Sequence, residues 1–150
     1  MKKLLAIVLI SFSPVGVFFA QQPAADKTVH FRAVNVYVDS RTKPLAAYQL
    51  ELSVKGGDAK IVGIEGGEHP AFREAPFYDP KAIQQERVII AAFSTASADK
   101  LPKGKSRVAT VHLQITGDVR PEFVTKLMTA GTVDGGKIPA EATIEERKPE

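Results

Sequence analysis

The side chains best suited to binding a ligand are concentrated in one segment, residues 65–79. Three aromatic residues fall within seven positions of one another, and an arginine and a glutamate lie between them. Aromatic rings stack on sugar rings or pack against apolar groups of a partner protein, while guanidinium and carboxylate groups bind hydroxyls and opposite charges. The candidate ligand-binding residues are therefore Phe72, Arg73, Glu74, Phe77 and Tyr78.

The aromatic residues of this segment also have a purely structural interpretation. An irregular segment needs apolar anchors to stay ordered, so Phe72 and Phe77 are also expected to fold back over one edge of the domain. The chain contains no tryptophan, which offers the largest stacking surface to a sugar. This absence argues against a carbohydrate platform but leaves it as an alternative.

Four potential metal ligands lie in the same segment: Glu65, Glu68, His69 and Asp79. Oxygen-rich sets bind Ca²⁺, and a histidine among them suits a mixed metal site. The spacing of these four residues matches no known ligand loop. We therefore predict neither metal nor cofactor, with Ca²⁺ at these residues as the alternative.

No set of residues indicates catalysis. His30 and His112 occupy polar positions of predicted strands, where we expect them to be exposed, and no serine-containing elbow accompanies them. The absence of cysteine excludes a thiol nucleophile, thiolate zinc sites and disulfides. A glycosidase requires two carboxylates that face each other across a cleft, and no sequence pattern indicates such a pair. We predict a non-catalytic protein, with a small glycoside-active enzyme as the less favoured alternative.

The candidate segment follows the clearest structural signal in the chain, residues 45–66. Apolar and polar residues alternate from Ala46 to Val54, which places the two sets on opposite faces of a strand. After Gly-Gly-Asp at 56–58, β-branched residues resume. Glycine accepts the positive φ angles of a tight connection, so the pattern predicts two strands joined as a hairpin.

Further segments have the alternation or the β-branched residues of strands, and no segment has the pattern of a long amphipathic helix. In the first of them, the phase of the apolar residues changes near Ala33, which predicts a bulge or a change of sheet. Asp-Gly-Gly at 134–136 predicts a closing hairpin. The fold class predicted is all-β, a two-sheet antiparallel β-sandwich of about seven to nine strands. The strand segments are 28–38, 87–95, 107–116, 121–130 and 138–144.

The first 20 residues have the layout of a secretory signal peptide. Lys2 and Lys3 precede an apolar run that ends at Ala20. The alternative is an uncleaved membrane anchor, although Pro14 and Gly16 weaken a continuous helix. We predict a bacterial protein that is secreted, periplasmic or held in the cell envelope. Its domain plan is signal peptide or anchor at 1–20, linker at 21–27, β-sandwich at 28–146 and polar tail at 147–150.

The charge of the chain does not indicate a nucleic-acid partner. The whole chain has 20 basic and 17 acidic residues. Loss of Lys2 and Lys3 with a signal peptide leaves only one more basic than acidic residue. No arginine-rich run or aromatic stacking platform is present. We therefore predict that the protein binds no nucleic acid and meets a membrane only through an uncleaved N-terminal segment.

Five stretches of the chain resemble, in order and strand character, the cohesin domain and the related cellulose-binding modules. They are AYQLEL at 47–52, IVGIEGG at 61–67, VIIAAF at 88–93, LPKG at 101–104 followed by RVATVHL at 107–113, and DGGKIPA at 134–140. The resemblance spans most of residues 28–146. At 54–58 the chain has VKGGD, where many cohesins have a turn of the Tyr/Phe-Asp-Pro type.

The resemblance implies a jelly-roll-like sandwich and a non-catalytic binding function. Cohesins hold dockerin modules, and the related modules hold polysaccharide. The partner implied is therefore a dockerin-like protein, with a polysaccharide as the alternative. The resemblance transfers the fold better than the partner, and it assigns no contact residues in this chain.

Overall fold

The computed structural model of the chain describes residues 27–148, which form two antiparallel sheets of four strands each. The first sheet has the order β3-β6-β1-β8 and the second has the order β4-β5-β2-β7. The predicted all-β sandwich is confirmed. The strands are β1 Val29–Asp39, β2 Ala47–Lys55, β3 Asp58–Gly66, β4 Phe77–Tyr78, β5 Arg87–Phe93, β6 Lys105–Thr116, β7 Glu122–Gly131 and β8 Glu141–Glu146; single turns of 3₁₀ helix occur at Pro70–Phe72, Pro80–Ala82 and Ala98–Lys100.

The core lies between the two sheets and is built from the alternating apolar residues of the long strands. From Ala46, just before β2, to Val54, every second residue is buried, as the alternation predicts. Leu113 of β6 and Ile90 of β5 are completely buried on the facing surfaces. The hydroxyl of Tyr48 donates a hydrogen bond of 3.2 Å to the Val108 carbonyl, which joins the two sheets through the core.

The segment 45–66 forms the two predicted strands, but the hairpin is wrong. β2 pairs with β5 and β7 in one sheet, whereas β3 pairs with β6 in the other. Gly56 and Gly57, at φ of 70° and 73°, make the tight connection across the sandwich. Because both strands bury one apolar face, they can face each other across the core instead of pairing side by side.

The predicted closing hairpin forms only next to its turn, where the Ile138 amide donates to the Ala130 carbonyl, and the two long strands that flank it do not pair. One isolated bridge, Gly131 to Lys137, forms around the Asp-Gly-Gly turn. The chain then crosses to the other sheet, where β8 pairs with β1. β1 itself stays in one sheet, and its pairing with β6 shifts register between Val36 and Tyr37, not near Ala33.

Several parts of the predicted domain plan lie outside the described residues. These are the signal peptide or anchor at 1–20, residues 21–26 of the linker and residues 149–150 of the tail. The first strand begins at Val29 and the last ends at Glu146, inside the predicted sandwich limits of 28 and 146. Within residues 27–148, no helix has the length and apolar character needed to cross a bilayer.

Candidate functional site

The segment between β3 and β5 is held against the sandwich by close backbone contacts at Gly66 and Gly67. A Cβ atom on Gly66 would overlap the Arg73 carbonyl, and one on Gly67 would overlap the Arg107 carbonyl. The amide of Gly67 donates to the Phe72 carbonyl at 2.6 Å. The two glycines therefore let the segment lie directly on its neighbours, which fixes where its aromatic residues point.

Phe72 is part of the core. Its side chain is 2% exposed and meets the Tyr48 ring edge to face, with centroids 5.3 Å apart and planes at 70°. His69 positions it, because its Nδ1 accepts a hydrogen bond from the Ala71 amide at the start of the 3₁₀ turn. Phe72 therefore follows the packing interpretation, and its buried ring is not available for stacking on a ligand.

Phe77 has the opposite placement. It lies in β4, opposite Ala91 of β5, and its side chain is 69% exposed. Val88 and Ile90 of β5 point into the core, so Ala91 and Phe93 point outward, on the same side as Phe77. Phe77 thus does not fold back over the edge of the domain, and it remains available to a ligand.

Phe93 completes an exposed aromatic pair with Phe77. Phe93 is 64% exposed, and the two rings lie 6.1 Å apart with planes within 10° of parallel. The outward neighbours of the pair are small, since Ala47 lies opposite Phe93 and Ala91 lies opposite Phe77. The surface beside the rings is therefore shallow, and a flat ligand can contact both of them.

A groove of about 670 Å³ lies beside this pair, between the loop before β4 and the end of β5. Phe77 and Phe93 both line it, and Glu74 and Lys100 bring one charge of each sign. Of the five predicted ligand-binding residues, Glu74 and Phe77 face the groove and the buried Phe72 lies at its base. Arg73 is exposed away from the groove lining, and Tyr78 packs partly into the core.

The four predicted metal ligands do not converge. Glu65 Oε1 lies 3.2 Å from His112 Nε2, within ion-pair range but without hydrogen-bond geometry. Glu68 accepts from the Arg107 amide, and Asp79 caps the second 3₁₀ turn by accepting from the Lys81 amide. Across residues 27–148, no three His, Asp or Glu side chains form a group able to hold a metal ion.

The two strand histidines differ in exposure. His30 is exposed as predicted, with its Nε2 4.0 Å from the Asp118 carboxylate. His112 is half-buried, because β3 and its Glu65 cover the imidazole. The prediction of an exposed side chain is therefore wrong for His112.

One ion pair crosses the outer face of the sheet that carries the aromatic pair. Arg87 Nη2 donates to Glu51 Oε2 at 2.6 Å between neighbouring strands. The hydrogen bond from Arg87 lowers the pKa of the Glu51 carboxyl, and the hydrogen bond to Glu51 raises the pKa of the Arg87 guanidinium. The pair lies on the same face as Phe93 and adds a polar border to the apolar surface.

Phe93 is the residue of this site that the sequence analysis missed. It ends the apolar run of β5, where no alternation separates inward from outward residues. Successive side chains of a strand point to opposite faces of the sheet. Because Val88 and Ile90 point inward, Phe93, three positions after Ile90, must point outward. The outward direction of Phe93 follows from this alternation once the inward pair is known, whereas its position opposite Ala47 is set by the pairing of β2 with β5.

Comparison with known proteins adds no relative. No protein-family model, no curated protein and no solved structure matches the chain. The likeness to cohesins therefore rests on the five stretches quoted above, and the site has to be interpreted from its own geometry.

Proposed function

We propose that the protein is an exported, non-catalytic binding module, similar to a cohesin domain, that binds a protein partner. The observation that carries the proposal is the exposed, stacked pair Phe77 and Phe93 beside the groove. Export is supported by the signal-like residues 1–20, and the class of partner, a dockerin-like protein, by the resemblance of the strand sequence.

The aromatic pair has the physical properties of a binding anchor. Burying a phenylalanine side chain stabilises a complex by about 2 kcal/mol in hydrophobic free energy. A ring with two rotatable bonds loses little entropy on binding, and aromatic anchors of this kind dominate many interfaces. Glu74 and Lys100 at the groove can orient a partner through opposite charges.

The proposal is tested by replacing both rings and measuring capture of a partner. The immobilised protein is incubated with increasing amounts of secreted protein from its source, and bound protein is quantified by mass spectrometry. We expect one saturable partner, with affinity reduced at least about tenfold in the Phe77→Ser/Phe93→Ser variant. Val119→Ser is the control, since Val119 is a similarly exposed apolar residue that does not line the groove. Lack of a saturable partner, or unchanged capture by the double variant, contradicts the proposal.

A polysaccharide is the second candidate ligand, favoured by the near-parallel planes of Phe77 and Phe93. Two exposed rings at this angle can stack on neighbouring sugar rings of a chain. Affinity electrophoresis on a panel of soluble polysaccharides distinguishes this candidate. Retardation that disappears in the double variant supports it, and unchanged migration on every polysaccharide removes it.

A further inference from the structure

The N-terminal part of β1 has an open backbone edge. β8 pairs with β1 only from Val34 to Asp39, although β1 begins at Val29. At the residue just before Val34, the Arg147 amide still donates a hydrogen bond to the Ala33 carbonyl. Among residues 27–148, no strand pairs with β1 on this side before Ala33.

The direction of the open backbone groups follows from the neighbouring hydrogen bonds. The Thr28 carbonyl accepts from Gly117, at the end of β6, so even-numbered residues of β1 point their backbone groups toward β6. Ala33 points toward β8, and residues two apart share a direction. The N–H and C=O groups of Val29 and Phe31 therefore point to the side that no described strand occupies.

The edge is also apolar, which is unusual for an open strand. Val29 is 48% exposed and Phe31 is 73% exposed. Unpaired edges beside exposed apolar side chains are a template for strand addition, and soluble proteins normally block them with charge, proline or a covering segment.

The surroundings of the edge are basic. A recess of about 540 Å³ next to it is lined by the basic side chains of Arg32, Arg147 and Lys148 and by one acidic side chain, Glu146. The Glu146 carboxylate is already shared, lying 3.4 Å from Arg32 and 3.0 Å from Arg120. Even without Arg147, two basic side chains, Arg32 and Lys148, face one acidic side chain, Glu146, among the described residues that line the recess, and this excess favours an acidic ligand.

We propose that the β1 edge at residues 29–32 binds an extended, acidic segment of a partner protein as an additional strand. The segment exchanges backbone hydrogen bonds with Val29 and Phe31, an apolar residue of it packs on the Phe31 ring, and its acidic residues face Arg32 and Lys148. A second copy of the chain is a poorer occupant, because symmetric pairing of two such edges brings the same basic residues together. The site is separate from the Phe77–Phe93 groove and does not depend on it.

The test uses a defined peptide as the probe. A fluorescein-labelled peptide Glu-Val-Asp-Val-Glu-Val-Glu is titrated with the protein by fluorescence anisotropy. A peptide with lysine in place of each acidic residue is titrated in parallel. We expect saturable binding of the acidic peptide that weakens several-fold between about 50 mM and about 300 mM NaCl. Binding of the lysine peptide is expected to be at least about tenfold weaker.

Three substitutions separate the contributions of the edge. Val29→Pro removes one N–H that faces the open side, and Val29→Ala is its control. Phe31→Ser removes the anchor, and Lys148→Glu reverses one charge of the recess. We expect Val29→Pro and Phe31→Ser each to weaken the acidic peptide at least about fivefold, and Lys148→Glu to reduce the salt dependence.

Three results would contradict binding of an acidic strand at the β1 edge. Absence of saturable binding to the unaltered protein overturns it, as does an unchanged affinity in both Val29→Pro and Phe31→Ser. A concentration-dependent dimer in sedimentation that Phe31→Ser dissociates assigns the edge to a second copy and also overturns it. The Phe77→Ser/Phe93→Ser variant should bind the peptide normally, so failure at the edge and failure of the groove are separate results.

Discussion

Phe72 and Phe77 lie five positions apart in one loop, and we expect their replacement by alanine to have opposite consequences. Phe72 is 2% exposed and packs edge to face on Tyr48, whereas Phe77 is 69% exposed and contacts Phe93. Truncation of a buried phenylalanine costs about 3–5 kcal/mol, of which an aromatic pair contributes about 0.5–1.5 kcal/mol. Phe72 lies at the edge of the core, where the loop can partly fill the space that the ring leaves. We therefore expect Phe72→Ala to lower the free energy of unfolding by about 3 kcal/mol, the lower end of this range.

Phe77→Ala should lower the free energy of unfolding only slightly. Its ring loses one stacked contact in solvent, which is worth less than about 1 kcal/mol. Urea unfolding followed by circular dichroism measures both values. With a denaturant slope of about 1.5 kcal/mol/M for a domain of this size, the midpoint of Phe72→Ala should fall by about 2 M. The midpoint of Phe77→Ala should move by less than about 0.7 M.

For partner binding we expect the opposite order, with Phe77 more important than Phe72. Phe77→Ala should weaken capture of a partner by the groove, because the lost ring lines it. Phe72→Leu keeps most of the buried volume and should retain both stability and capture. Equal midpoint shifts for Phe72→Ala and Phe77→Ala would refute the division into one core ring and one binding ring. So would loss of capture in Phe72→Leu without loss of stability.

Two further substitutions test the packing that positions the site. Tyr48→Phe removes the hydrogen bond to the Val108 carbonyl and should cost about 1 kcal/mol at pH 7. Burial raises the pKa of Tyr48, so the protonated form is favoured in the folded state. Stability is then lost above the unfolded pKa of about 10, by about 1.4 kcal/mol for each pH unit. Urea unfolding at pH 7 and pH 11 should therefore show a smaller alkaline loss for Tyr48→Phe than for the unaltered protein. Gly67→Ala should lower the thermal midpoint by several degrees, because its Cβ would overlap the Arg107 backbone, whereas Gly63→Ala, with an ordinary 3.7 Å contact, should not.

The fold class could be predicted from the sequence because burial in a sandwich follows a period of two. Every second residue from Ala46 to Val54 is apolar and every one of them is buried. The pairing of strands could not be predicted in the same way. A hairpin and a connection between two facing sheets require the same glycine turn and the same inward apolar faces, so Gly56 and Gly57 fit both. Only the long-range pairing of β3 with β6 distinguishes them.

The candidate site could be predicted only in part. The sequence identified Glu74 and Phe77 in the correct loop, but it could not separate Phe77 from Phe72. Both are phenylalanines among prolines and polar residues, and the edge-to-face contact of Phe72 with Tyr48 depends on a residue more than twenty positions away. Phe93 belongs to another strand and reaches Phe77 only through the β4–β5 pairing.

The apolar residues of the β1 edge are visible in the sequence, but their phase predicts a different local structure. The change of phase near Ala33 predicted a bulge, but β1 continues with even-numbered valines inward. The residues out of phase, Val29 and Phe31, are apolar side chains on the solvent face of the sheet. The register shift of β1 lies farther along, between Val36 and Tyr37, and the change of phase instead marks the part of β1 that β8 does not cover.

The two proposed binding surfaces, the groove with Phe77 and Phe93 and the edge with Phe31, should select different ligands. They lie on different sheets, since Phe93 and Phe77 belong to the second sheet and Phe31 belongs to the first. Their electrostatics differ as well, because the groove has Glu74 beside Lys100, whereas the edge is flanked by an excess of basic side chains. A ligand without charge should therefore select the groove and an acidic strand the edge. If the acidic peptide and the captured partner compete for one surface, this division fails, and the Phe31→Ser and Phe77→Ser/Phe93→Ser variants identify which surface they share.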